Sequence, residues 1–160
     1  MTHRPRLEAR KHSERPHVLI VSDDTSLSSF LAEGLPLGGF WTSVIASGLQ
    51  ALEVFRLRQF DLIVIDWSLQ SFGALEFLRR LRGQSTRDAT ATSRTDAPVV
   101  LIAEDPIQLD AGQRKRLGVE AMLHAPLEID DVARTLHGVF LAWREAHPDV
   151  PLADASNLAR

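Results

Sequence analysis

Two short apolar runs, Val18-Leu19-Ile20-Val21 and Leu62-Ile63-Val64-Ile65, contain no polar position at which a strand could face water. Strands of this kind must be covered on both faces, which calls for a parallel sheet clothed by helices. Each run ends in acid. Asp66 closes the second, and Asp23-Asp24 follows the first with a single residue between. In open sheets of this type, ligands and chemistry collect outside the carboxyl ends of the strands. Two carboxylate sites at neighbouring strand ends make a place for a divalent cation and for an oxygen nucleophile.

The rest of the composition narrows the field by exclusion. At 160 residues the chain is long enough for one domain with a real core. A net charge of −3 gives no global pull toward nucleic acid or an anionic membrane. There is no cysteine, so disulfides, thiolate metal sites and thiol catalysis are excluded. No apolar stretch reaches membrane-spanning length and the N-terminus is too polar for a signal peptide, so a cytoplasmic protein is expected.

Along the chain, residues 1–16 form a basic arm without apolar period and are expected to be disordered. Strand 1, Val18–Val21, leads into a helix with Leu27, Phe30, Leu31 and Leu35 on one face, ended by Gly38-Gly39. Phe40–Ala46 is a shorter strand, and Ser47 caps a helix whose buried face is Ala51, Leu52, Val54 and Phe55. Strand 3 is Leu62–Asp66, and Ala74–Arg82 is amphipathic. Residues 83–97, polar and without period, read as a long mobile loop. Strand 4 is Val99–Ala103, a helix spans Ile107–Leu117 and stops at Gly118, and Ala121–His124 is strand 5. After the turn at Ala125-Pro126 the last helix runs from about Ile129 to Ala146, and residues 147–160 are a tail, frayed from Leu152. The alternation predicts a doubly wound five-stranded parallel α/β sheet of order 2-1-3-4-5 with helices on both faces.

Four segments in this order resemble the receiver domain of two-component response regulators, over residues 17–146. VLIVSDDTSLSSFLAEGL is similar to that family's first strand, acidic turn and first helix; DLIVIDWSLQSFGALEFLRRLR to its third strand, phosphoacceptor and third helix. APVVLIAED is similar to its fourth strand, and GVEAMLHAPLEIDDVARTL to its fifth strand, cis-proline turn at Pro126 and last helix. The resemblance implies a flavodoxin-like fold, a phosphoryl group accepted by Asp66 from a histidine kinase or phosphotransfer protein, and no enzyme activity beyond Mg²⁺-dependent self-phosphorylation. It also implies a weak Mg²⁺ site formed by Asp23, Asp66 and the backbone carbonyl of Ser68, with Asp24 a secondary acid or a cap for the first helix.

Several family positions are degenerate. Ser22 stands where the first acid of the pair is usual, Ala103 where a hydroxyl would meet the phosphoryl oxygen, and Ala125 where a lysine precedes the cis-proline. Met122 replaces a common aromatic switch residue, Gln70 a proline, and Ala74 a glycine. Two functions therefore compete. One is a stand-alone receiver, nothing after the last helix being long enough for an output domain, with weakened switching. The other is a pseudo-receiver that binds protein independently of phosphate. Either acts on a protein partner through the face of strand 4, strand 5 and the last helix, where Val119, Met122, Leu127 and Ile129 are expected to form an apolar patch; a homodimer stays open. Trp67 is either a partner contact or a cover for its turn. A flavin-phosphate site at Ser22–Ser26 is disfavoured, since that turn lacks glycine and holds two acids. A phosphatase built on Asp66 would want an acid at position 68, which is serine. The six histidines show no metal-ligand spacing.

Overall fold

A computed structural model describes residues 15–69, 73–85 and 93–153. Among these residues, strands β1 (His17–Val21), β2 (Trp41–Ile45), β3 (Leu62–Asp66), β4 (Val99–Ala103) and β5 (Val119–His124) alternate with helices α1 (Thr25–Gly34), α2 (Gly48–Val54), α3 (Ala74–Leu81), α4 (Ala111–Leu117) and α5 (Ile129–Ala146). The strands are all parallel, in the order β2-β1-β3-β4-β5. This is the expected flavodoxin-like doubly wound sheet.

The pleat explains why the strands read as unbroken apolar runs. Leu19, Val21, Ile63, Ile65, Val99 and Leu101 point to one side, against Leu52 of α2, Phe77, Leu78 and Leu81 of α3 and Leu117 of α4. Val18, Ile20, Leu62, Val64, Val100 and Ile102 point to the other, against Leu31 of α1 and Val132, Leu136 and Phe140 of α5. Every residue of β1, β3 and β4 is buried. On the second side α1 and α5 approach closely: a Cβ on Gly34 would lie 2.4 Å from Ile129 Cγ1, so any larger residue there has to displace the Ile129 side chain.

Helix ends follow local chemistry. The first helix stops at Gly34 rather than Gly38, and a 3₁₀ turn, Leu35–Gly38, takes over at Pro36, which has no N–H to give an α-helix. Helix α4 starts four residues later than its apolar pattern suggested. Asp110 and Gln113 form a reciprocal capping box, and Ile107 and Leu109 pack on the first cluster from outside the helix. Gly118 ends α4 at φ 67°, and the peptide before Pro126 is cis, as expected.

Three sequence expectations change. Residues 83–97 do not form one unpacked loop, because both ends dock: Ser85, Thr95 and Ala97 are buried, Ser85 Oγ donates to Glu76, and Arg94 N donates to Leu81 O. The polar side chains that hid this in the sequence are themselves the docking groups; residues 86–92 lie outside the described region. The tail is not frayed at Leu152. Leu152 packs on the second cluster, Ala153 N donates to Asp61 Oδ1 at 2.8 Å, and Arg144 Nη1 donates to Val150 O. The anticipated apolar patch is divided by the sheet, with Val119 and Met122 packing on the first cluster and Leu127 and Ile129 on the second. Of the arm expected over residues 1–16, residues 1–14 lie outside the described residues, as does Gln70; at its end Pro16 O accepts from Trp41 N at 2.8 Å and the Arg15 guanidinium lies 4.8 Å from the Trp41 ring centroid. Among those described, no helix is long and apolar enough to cross a membrane.

Candidate functional site

Register builds the site. Val21 pairs with Ile65, so the next residues on the two strands, Ser22 and Asp66, come side by side at the carboxyl edge. Asp66 is only 6% exposed and Ser22 only 2%. The Ser22 hydroxyl donates to Asp66 Oδ2 at 2.7 Å and accepts from Asp24 N at 3.1 Å. Across the carboxylate, Oδ1 accepts from Ser68 N at 2.9 Å and from Ser68 Oγ at 2.7 Å. Three donors thus converge on one buried carboxylate, the arrangement a buried negative charge requires.

A cavity of about 370 Å³ opens over Asp66. Its polar rim is acidic, with Asp24, Glu104 and Asp105, and its walls include Trp67, Ala103 and Ala125. No lysine or arginine is among the described residues that line it. Asp24 is already committed, its Oδ1 accepting from Ser26 N at 2.9 Å and Leu27 N at 3.2 Å as the cap of α1. Asp23 is exposed, beside the cavity rather than in its lining. Trp67 is half-buried and packs on the first cluster, and its backbone N–H donates to Ile102 O at 2.8 Å.

The positions that depart from the expected pattern surround this cavity or lie on the elements beside it. Ala103 is buried at the end of β4 and Ala125 is exposed, the two joined by Ala125 N to Ala103 O at 3.0 Å. Met122 is half-buried against the first cluster. Ala74 is buried at the start of α3.

Two features escaped the sequence reading. Ser22 stands where the resemblance puts an acid, and in the structure its hydroxyl is the direct partner of Asp66. Glu104 and Asp105 also line the cavity, and the signal for them is the same as for Asp23: acids just after an apolar strand.

As a potential Mg²⁺ site the donors are right in kind: Asp66, Asp23 and the Ser68 carbonyl offer only oxygen, suited to a hard cation. They are few, however. Among the described residues no group of three His, Cys, Asp or Glu is placed to hold a metal. A cation reaching Asp66 also has to compete with hydroxyl donors already on both oxygens.

A family model described as response regulator receiver domain matches residues 18–137. The DNA-binding response regulator MtrA of Mycobacterium tuberculosis is 35% identical over 89 residues, which is 55% of this chain and 39% of that protein. The probable transcriptional regulator ycf27 of Cyanidium caldarium is 24% identical over 121 residues, 76% of this chain and 45% of its own length. The chain therefore spans less than half the length of these relatives. Among solved structures, the receiver domain of a Francisella response regulator superposes with a TM-score of 0.65 at 23% identity, covering 79% of this chain and 98% of that one. A CheY-like receiver domain protein from Methanospirillum hungatei gives 0.68 at 15% identity, covering 82% and 98%.

Proposed function

Because this chain belongs to the response-regulator receiver-domain family, we propose that it is a signalling receiver whose phosphoacceptor is Asp66. The supporting observation is a single one: the only aspartate at the end of β3 is buried at the floor of a cavity and held by three donors. Receiver domains are generally not enzymes, and the phosphoryl group comes from a donor protein. In the step proposed, an Asp66 oxygen attacks phosphorus, the bond to the donor's histidine nitrogen breaks, and that nitrogen keeps the electron pair. Asp66 becomes an acyl phosphate.

Receiver domains generally bind Mg²⁺ at the acidic phosphorylation site. Here the ligands would be Asp66, Asp23 and the Ser68 carbonyl, and the cation would neutralise charge on the transferring group. With two carboxylates and three positions left to water, its affinity is weak. Around it, this chain supplies the Ser68 donors and the half-buried Trp67 wall, and it lacks both a hydroxyl at position 103 and a lysine at 125. A charge-assisted contact contributes about 1.5–3 kcal/mol and a neutral one about 1. If both act in the transition state, transfer is ~10²- to 10³-fold slower than with them.

The same two alanines favour a second reading, a pseudo-receiver that binds its protein partner through the β4, β5 and α5 face whether or not Asp66 is modified. Partners of either receiver are cytoplasmic proteins, a histidine kinase or phosphotransfer protein and a downstream target. Exposure to a small phosphodonor with Mg²⁺, followed by intact mass, tests the first reading. A gain of one phosphoryl group that disappears in Asp66→Asn supports it, and no gain at any donor concentration leaves the pseudo-receiver.

A further inference from the structure

We propose that Ser22 is the positioning residue of this site, its hydroxyl doing for the Asp66 carboxylate what a bound cation would otherwise do. The inference rests on the phosphoacceptor reading and on the hydrogen-bond count at the two oxygens. A carboxylate oxygen has two lone-pair directions. Oδ1 has both filled, by Ser68 N at 2.9 Å and Ser68 Oγ at 2.7 Å. Among the described residues Oδ2 accepts from Ser22 Oγ alone, at 2.7 Å, which leaves one lone pair for attack. With Ser68 on one oxygen and Ser22 on the other, the plane of the carboxylate is held from both sides.

Ser22 is itself fixed from several sides. Its N–H donates to Ile45 O at 3.1 Å, its Oγ accepts from Asp24 N at 3.1 Å, and its carbonyl accepts from Ser28 Oγ at 3.4 Å. At 2% exposure it has almost no solvent route to another rotamer. A hydroxyl held this way supplies a proton to a negative oxygen, whereas an acid at the same place would supply a second negative charge at hydrogen-bond range. Position 22 therefore decides which of two arrangements the site uses. Serine stabilises Asp66 by donation and leaves a cation little to add. Aspartate would create repulsion that only a cation relieves.

The test uses the full chain and four variants: Ser22→Asp, Ser22→Ala, Ser22→Thr and Asp66→Asn. Thermal midpoints are measured in chelator and in about 10 mM Mg²⁺. Wild type and Ser22→Thr should shift by less than about 1 °C, and Ser22→Asp should melt lower in chelator and gain several degrees with Mg²⁺. Intact mass after a small phosphodonor, with and without Mg²⁺, gives the second readout. Ser22→Ala should label about ten-fold more slowly in chelator, with Ser22→Thr restoring the rate. A Mg²⁺ shift in wild type as large as that in Ser22→Asp, and absent from Asp66→Asn, overturns the proposal. So does equal labelling of Ser22→Ala and wild type. Should Ser22→Asp not fold, the alanine and threonine pair decides. If no variant is labelled at Asp66, the phosphoacceptor reading fails by itself, and the Mg²⁺ responses still judge Ser22.

Discussion

His17 opens β1 with a ring that has no solvent exposure. Its Nε2 meets Ser43 Oγ at 2.8 Å, its edge meets Phe60 with centroids 4.8 Å apart, and among the described residues Nδ1 meets no polar partner. Burial, reinforced by the positive charge of Arg58, pushes the imidazole from 6.5 down to about 4. The unfolded chain therefore takes up a proton near pH 6.5 that the folded chain refuses until about pH 4, and stability falls across that window as pH drops. At pH 5 the loss relative to pH 7.5 is about 2 kcal/mol, and His17→Leu should abolish it in urea titrations at the two pH values. Asp61 next to it has a carboxyl raised by burial against the pull of two backbone donors and Arg144. That shift has the opposite sign, favouring the folded state as pH falls. The difference between wild type and His17→Leu isolates the imidazole. Arg82 is the second residue that matters beyond its size. It donates to Leu117 O at 2.9 Å, to Thr95 O at 2.8 Å and to Ala97 O. Arg82→Met strands three carbonyls and should lower stability by about 2–4 kcal/mol, read as a shift in the urea midpoint. Gly118→Ala should be harmful by a different route, since its Cβ would sit 2.5 Å from Arg82 Nη2 at a φ of +67°. In the sequence Arg82 is no more than the polar end of the amphipathic stretch Ala74–Arg82. What buries it is a loop that carries no apolar signal.

At the scale of elements, β1, β3 and β4 were readable because burial on both faces leaves only one kind of residue to use. Asp66 was readable for the same reason, being the first polar residue after such a run. Ser22 was not, because a hydroxyl looks neutral in a sequence and acquires its role only from the register that sets it beside Asp66. The ends of the 83–97 segment were misread through the same blindness to polar docking. Excising Thr86–Thr95 removes the Thr95 carbonyl from Arg82 and the Arg94 N–H from Leu81 O. Loop length alone would change stability by only about 0.6 kcal/mol per doubling. The excision should therefore lower the unfolding midpoint well beyond that figure, whereas Ser93→Ala, at an exposed position, should leave it nearly unchanged.

For the whole molecule, the question is whether an event at Asp66 changes the far surfaces. A ligand shifts an equilibrium only through contacts that differ between two states. Ala103 offers no hydroxyl to be drawn inward, and Met122 can fill space in either arrangement. Affinity for a captured partner should be nearly equal with and without a beryllium-fluoride mimic of the phosphoryl group, and Ala103→Thr with Ala125→Lys should introduce a difference. A ten-fold effect of the mimic on the unaltered chain, about 1.4 kcal/mol of coupling, would contradict this.

Strand β3 has a carboxylate at each end. Asp61 stands before it, tied to His17 N and Ala153 N, and Asp66 closes it. Five residues at about 3.3 Å each separate the two poles by roughly 16 Å of hydrogen-bonded rod. The segment that returns from α5 is thus moored just before β3, at the end opposite the proposed acceptor. A reporter attached at Ala153 would feel the mooring at Asp61 before it felt any chemistry at Asp66. Loosening that mooring with Asp61→Ala should free the reporter while leaving the Asp66 chemistry in place.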